Sequence, residues 1–219
     1  MDFLHQEYKA CLKDKQFIFA TILSVLLLAI SLVANYYAGF YASNHESNPV
    51  TDLVLSNIRV YNVEDVFVYG SIIFWTFIAL LCIARPAKAP FTIKAVALFT
   101  LIRSVFVMLT HIGPFPTQII LDSNLISKFT FGGDLFFSGH TGLPFLMALI
   151  FWHNKTLRYV FMATSLLFAV VVLMAHLHYS IDVLGAFFIT YSIYRLAEIF
   201  FKKDKRIFNE GLPQEGRTS

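Results

Sequence analysis

The run "FIFATILSVLLLAISLVANYYAGFY", Phe17 to Tyr41, settles which solvent this chain folds in. No Asp, Glu, Lys or Arg interrupts it, and about 20 apolar residues carry a helix across the hydrocarbon core of a bilayer. It is too long for a signal-peptide core and no small-residue cleavage site follows, so it reads as a retained membrane span. Further apolar runs occupy residues 66–84, 92–112, 136–153, 158–176 and 179–200. Lipid offers backbone N–H and C=O groups no hydrogen-bond partner, which forces each run to be helical. Composition agrees: 57% of the 219 residues are hydrophobic and 14% charged, where a soluble domain carries about a quarter charged residues. Mean hydropathy is +0.66. The expected fold is an all-α integral membrane protein, a single six-transmembrane-helix bundle over residues 17–200, undivided by linker or repeat. Residues 1–16 precede it as a cytosolic or interfacial segment, and residues 201–219 follow as a cytosolic basic tail.

Basic residues give the orientation. Lys9, Lys13 and Lys15 precede the first run; Arg85, Lys88 and Lys94 surround the second link; Lys155 and Arg158 fill the fourth. Lys202, Lys203, Lys205 and Arg206 follow the last run, while the alternate loops hold only Arg59 and Lys128. The positive-inside rule then places both termini in the cytosol. In the leader, Phe3, Leu4, Tyr8, Cys11 and Leu12 fall near helical intervals; an interfacial helix and a disordered tail both fit. Cys11 and Cys82 lie on or near the cytosolic side, so no external disulfide is expected. The net charge of +3 reflects the inner-face lysines and arginines and gives no reason to expect nucleic acid.

Two polar stretches stand at the external ends of apolar runs: "GGDLFFSGHTG", Gly132 to Gly142, and "MAHLHYSID", Met174 to Asp182. In this topology both sit at one membrane depth, so they can meet. His178 and Asp182 are four apart and share a helix face. A carboxylate there can accept from one imidazole nitrogen and leave the other unprotonated, the arrangement of a base with its orienter. His140 could then supply or remove a second proton. Two imidazoles and one carboxylate suit phosphoryl chemistry, one ring attacking phosphorus and the other protonating the departing oxygen. Gly139 and Gly142 permit close approach of backbone or ligand. Arg103 lies within a span, where a cation is costly and marks a functional site by default, and its fork of donors matches phosphate. Asp134, Ser138, Gly139, Tyr179 and Arg103 are the candidate substrate-binding residues.

Each has an ordinary reading as well. Arg103 could snorkel to headgroups, and Asp134 could simply favour a helix N-terminus. His111 and His176 read as interfacial histidines, and the phenylalanines as packing and lipid-facing surface. Metal binding by the His–His–Asp set is the weaker alternative, since Asp182 is placed to orient His178 and no further ligand set follows. No metal or cofactor is expected.

The paired phrases "SGHTG" and "HYSID" resemble the motifs of the type 2 phosphatidic acid phosphatase (PAP2) superfamily. The longer "GGDLFFSGHTG" and "MAHLHYSIDVLGAFFITYSIYRL", with "NPVTDLVL" and "LIRSVFVMLT", resemble the sphingomyelin synthase branch. The likeness is strongest over residues 130–197. It implies a six-helix, PAP2-like core with an external or lumenal site, His178 as nucleophile, Asp182 as its orienter and His140 as proton donor. It also implies transfer of a phosphocholine or phosphoethanolamine headgroup from a glycerophospholipid to a lipid alcohol such as ceramide or diacylglycerol. The chain lacks the long cytosolic N-terminal region of some animal relatives, as a minimal microbial bundle would. The phosphatase branch carries a serine–arginine pair shortly before its nucleophilic histidine; here Val171, Val172 and Leu173 stand there, and "RPAKAP" at Arg85 has the wrong spacing and side. A phosphate monoester presents nearly two negative charges and needs several cations; a diester presents one, which Arg103 could match. The sequence therefore leans toward headgroup transfer or diester cleavage. A PAP2-type lipid phosphatase or phospholipase C-like hydrolase is the alternative, and a non-catalytic scaffold or transporter the second. Transport would favour polar residues strung through the membrane depth, whereas here they gather at one face.

Overall fold

The computed structural model describes residues 2–119 and 136–212, with side chains from Glu7 onward. Its helices are α1 (Asp2–Lys13), α2 (Lys15–Asn44), α3 (Glu64–Ala84), α4 (Ala89–Leu109), α5 (Gly139–Ile150), α6 (Lys155–Met174), α7 (Ser180–Phe200) and α8 (Lys202–Glu210). A 3₁₀ turn, Pro86–Lys88, joins α3 to α4, and no strand occurs among the described residues. Five helices are long and apolar enough to cross a membrane: α2, α3, α4 with its preceding turn, α6 and α7. The protein is an all-helical integral membrane protein.

The run at residues 136–153 departs from expectation: its helix is the 12-residue α5, which rises only about 18 Å. Apolar residues at both ends of the run are not helical. Phe136 and Phe137 precede the cap, where the Ser138 hydroxyl accepts from Thr141 N–H at 3.4 Å. Phe151 and Trp152 turn the chain toward α6, which Asn154 caps by accepting from Leu157 N–H at 3.1 Å. Hydropathy cannot distinguish such residues from helical ones. Short as it is, α5 still joins the two ends of the bundle. Ser138 N–H donates to the Asp182 carbonyl at 3.2 Å, and the Phe151 ring packs 5.3 Å from Phe208 of α8.

Phe74, Phe91, Phe99, Phe137, Met147 and Phe161 form the centre of the core. A side chain at Gly142 would put a Cβ 2.8 Å from the Phe99 ring and from Thr190 Oγ1, so glycine lets α5 press against α4 and α7 together. Outward-facing side chains of α2 and α7, such as Ile22, Leu26 and Phe188, are exposed apolar groups, as lipid-facing surfaces require.

Helices α1 and α8 both pack on the 3₁₀ turn, so the two terminal helices share one end of the bundle. The leader is helical: Cys11 is buried and the Tyr8 hydroxyl donates to the Ile83 carbonyl at 2.6 Å. Within the segment read as a basic tail, Lys202–Glu210 form α8, with Asp204 and Phe208 buried. Lys94, one of the cations that give the orientation, is buried and paired with Asp204 at 2.7 Å.

Candidate active site

At the end opposite the terminal helices, the two polar stretches converge. The Ser138–Asp182 backbone bond splices the start of α5 to the first turn of α7. Arg103 of α4 closes the third side. Its Nε donates to the Phe137 carbonyl at 2.9 Å, and one terminal nitrogen lies 3.5 Å from Asn35 Oδ1 on α2. Gly139 permits this approach: a Cβ there would sit 3.2 Å from Arg103 Nε. Arg103 stands six residues before the end of α4, or about 9 Å below it along the axis. The site is therefore sunk into the bundle.

A cavity of about 450 Å³ opens on this level. Arg103, Gly139 and His140 line its polar wall; Leu28, Leu143 and Phe168 are among its apolar ones. The His140 ring lies 4.2 Å from that of Phe67 and 5.9 Å from Phe168, held in an aromatic slot. His178 and Arg103 are both within electrostatic reach of His140. Gly139 and His140, which line this wall, are the first residues of α5; the N–H groups at a helix start lack intrahelical partners, and with Arg103 nearby such a start favours an anion.

His178 and Asp182 are buried, Asp182 completely. His178 Nδ1 lies 3.7 Å from Asp182 Oδ2, an ion-pair distance too long for a hydrogen bond. That oxygen accepts from Tyr179 N–H at 2.9 Å, tying the carboxylate to the start of its own helix. Asp182 Oδ1 is buried with no partner among the described residues. A buried acceptor left unmatched is uncommon and calls for a donor.

Other expected residues are placed differently. Ser138 caps α5 and meets Thr141 Oγ1 at 3.2 Å. Tyr179 is buried with its hydroxyl donating to the Gly113 carbonyl at 2.8 Å and facing Val50 N–H at 3.3 Å. Both brace the site in this structure. Asp134 lies outside the described residues. His176, read as interfacial, is buried in a left-handed conformation, φ 55°, with Nδ1 2.6 Å from Thr117 Oγ1. No group of three or more metal-ligating side chains occurs among the described residues. Asn35 and Asp52 were missed from sequence. Asn35 is a polar residue inside the first apolar run, a signal present in the sequence; Asp52 lies within "NPVTDLVL", but its link to Ser180 is a feature of the fold.

A profile of the family described as PAP2 superfamily C-terminal matches residues 132–199, which hold both polar stretches. No curated protein matches the chain, and no solved structure does. The match supports membership of the PAP2 superfamily and, in general terms, an enzyme of lipid phosphatase or phosphotransferase type acting on membrane lipids.

Proposed function

We propose that this protein is a phospholipid headgroup phosphotransferase resembling the sphingomyelin synthases. It would move a phosphocholine or phosphoethanolamine group from a glycerophospholipid to a lipid alcohol such as ceramide or diacylglycerol. The observation that carries this reading is the cavity: Arg103 is the one cation on its wall among the described residues, beside His140 and otherwise mostly apolar side chains. One guanidinium and a helix N-terminus match the single charge of a diester. The apolar remainder suits lipid chains. Helix α2 packs along α4 while α3 leans on α6, leaving a lateral way in between α2 and α3.

In the first step His178 Nε2 attacks phosphorus, and the bond from phosphorus to the diacylglycerol oxygen breaks. His140 gives its proton to that oxygen, while Asp182, beside Nδ1, stabilises the imidazolium that forms. In the second step the acceptor hydroxyl attacks the phosphohistidine, His140 takes its proton, and the P–N bond breaks to release His178. Gly139 and Arg103 would hold the phosphate, with Ser138 and Tyr179 keeping the two helix starts in place. Because the family match is general to the superfamily, water as the second acceptor, giving hydrolysis, is the other reading to test.

Mass spectrometry of lipids separates these. Purified protein incubated with phosphatidylcholine or phosphatidylethanolamine, with and without ceramide, should yield the corresponding ceramide phosphodiester only when ceramide is present. Free phosphocholine in its absence indicates hydrolysis; turnover of phosphatidic acid alone overturns the diester reading.

With α5 as a sixth, short crossing, the chain has both termini in the cytosol and the site toward the external face. Cysteines introduced at Asn57 should then label from outside sealed cells and those at Lys155 and Lys203 only after permeabilisation. External labelling at Lys155 sinks this topology.

A further inference from the structure

Helix α7 starts in an unusual way. The residue at its N-cap is Tyr179, whose side chain reaches away to Gly113 and cannot cap the exposed N–H groups as Ser, Thr, Asp or Asn would. The cap comes from elsewhere. Asp52, in the segment between α2 and α3, accepts on Oδ2 from Ser180 N–H at 2.7 Å and from Ser180 Oγ at 2.8 Å. Its Oδ1 accepts from Val54 N–H at 2.8 Å and Leu55 N–H at 3.0 Å. One buried carboxylate thus ties its own turn to the helix start that carries the site, across 128 positions of sequence. A negative charge at a helix N-terminus is also favoured by the dipole.

This has a consequence for Asp182, which sits one turn into the same helix and already accepts Tyr179 N–H on Oδ2. Without Asp52, Ser180 N–H would lose the acceptor it now has, and Asp182 is a carboxylate in the same first turn of α7. With Asp52 in place, Asp182 Oδ1 stays unclaimed among the described residues. We infer that Asp52 is a positioning residue for the reaction proposed above: by capping α7 from another segment, it holds His178 in register and keeps Asp182 available to the imidazole. Burial pushes the Asp52 carboxyl up, but its four donors outweigh this and hold it below its ordinary value of 3.8. The cap is therefore fully present above that value and is lost only as pH falls through the lowered one.

The test uses the full chain in lipid nanodiscs. Asp52→Ala should lower kcat for headgroup transfer by about 10²-fold with KM within about twofold, the cost of a small misplacement of reacting groups. Asp52→Glu, which keeps both oxygens, should recover about tenfold of that loss, and Ser180→Ala should lose about tenfold or less because its N–H remains. Asn57→Ala, which removes a bond inside the same segment, should leave kcat unchanged. The second readout needs no turnover: carbethoxylation of His178, followed by mass spectrometry, should run several-fold faster in Asp52→Ala than in the native protein. If Asp52→Ala does not fold, Asp52→Asn, which keeps one accepting oxygen, serves in its place. The proposal is overturned if kcat per inserted molecule stays within about threefold of native, if Asn57→Ala loses as much, or if His178 modification is unchanged. Should the native protein transfer no headgroup, the functional reading fails, while the His178 measurement still decides the role of Asp52.

Discussion

The two ends of this bundle both bury charge in a protein that lies mostly in lipid, yet they treat it in opposite ways. At the terminal end the buried cations are matched across helices, although Glu7 Oε2 is buried there without a hydrogen-bond partner among the described residues. Lys94 meets Asp204 at 2.7 Å, the Lys88 ammonium stands 4.2 Å above the Phe208 ring, and Lys205 donates to the Tyr194 hydroxyl, which donates to Glu198 at 2.6 Å. At the site end Asp182 keeps a buried oxygen without a described partner, and Arg103 Nε donates to the Phe137 carbonyl. Removing charge from water costs several kcal/mol per ion unless a partner offsets it. One end uses its charges to fasten α8 and the 3₁₀ turn to the core; at the other, Asp182 Oδ1 is a buried acceptor without a described partner.

That contrast is sharpest at the two histidines. His178→Ala should abolish turnover of natural and activated substrates alike, because the attacking nitrogen is gone. His140→Ala should be far less harmful with a nitrophenyl phosphodiester, whose leaving group departs without a proton, than with a natural lipid. Rescue of His178→Ala and not His140→Ala would exchange the roles. If neither variant distinguishes the substrates, a directly activated water replaces the covalent step.

Next in size is Asp182→Asn. The amide can still accept from Tyr179 N–H through its oxygen, so the helix start survives, but the charge opposing an imidazolium is lost. The same change in a serine-protease triad costs about 10⁴ in turnover, and at least about 10² is expected here. Near-native turnover in a well-inserted protein would return Asp182 to a purely structural cap.

The sequence disclosed more of the site than of its supports, for a physical reason. His178 and Asp182 are close in sequence, but the expected shared helix face does not form: His178 precedes the N-cap Tyr179 and is not helical, so the bend leading into α7 sets their 3.7 Å separation. Asp52 lies in "NPVTDLVL", a stretch that carries part of the resemblance, but its partner Ser180 is 128 positions away, and no local rule joins them. Phe136 and Phe137 misled for a related reason: they are as apolar as a span requires, but Phe137 is buried against Phe99 and Phe106 ahead of the helix cap. Lys94 contributes to the orientation signal from its place at the start of the third apolar run, but its pairing with Asp204 of α8 at 2.7 Å is a tertiary fact that no local pattern contains.

Smaller for activity, and opposite in kind, is the effect expected from Asp204→Ala. The Lys94 and Asp204 side chains are 5% and 9% exposed, and removing one partner leaves an uncompensated buried charge, costing about 3–5 kcal/mol. Thermal unfolding followed by tryptophan fluorescence should shift markedly downward, while kcat per folded molecule stays near native. Replacing both by methionine and leucine should restore most of the loss. A fall in kcat that outlasts the double replacement would mean the ends are coupled through α4.

The smallest effect belongs to Arg206 and Glu210, also on α8 but on its outer face. They pair at 2.9 Å with side chains 78% and 63% exposed, where water and salt screen the attraction and ordering two long side chains consumes most of the gain. Arg206→Ala should therefore leave both the unfolding midpoint and kcat unchanged within error, in the same assays that register Asp204→Ala strongly. Two charged positions two residues apart on one short helix would then differ only because one faces the core. A clear loss from Arg206→Ala in nanodiscs containing anionic lipid, absent in neutral ones, would instead show that the outer face of α8 presses on the membrane surface.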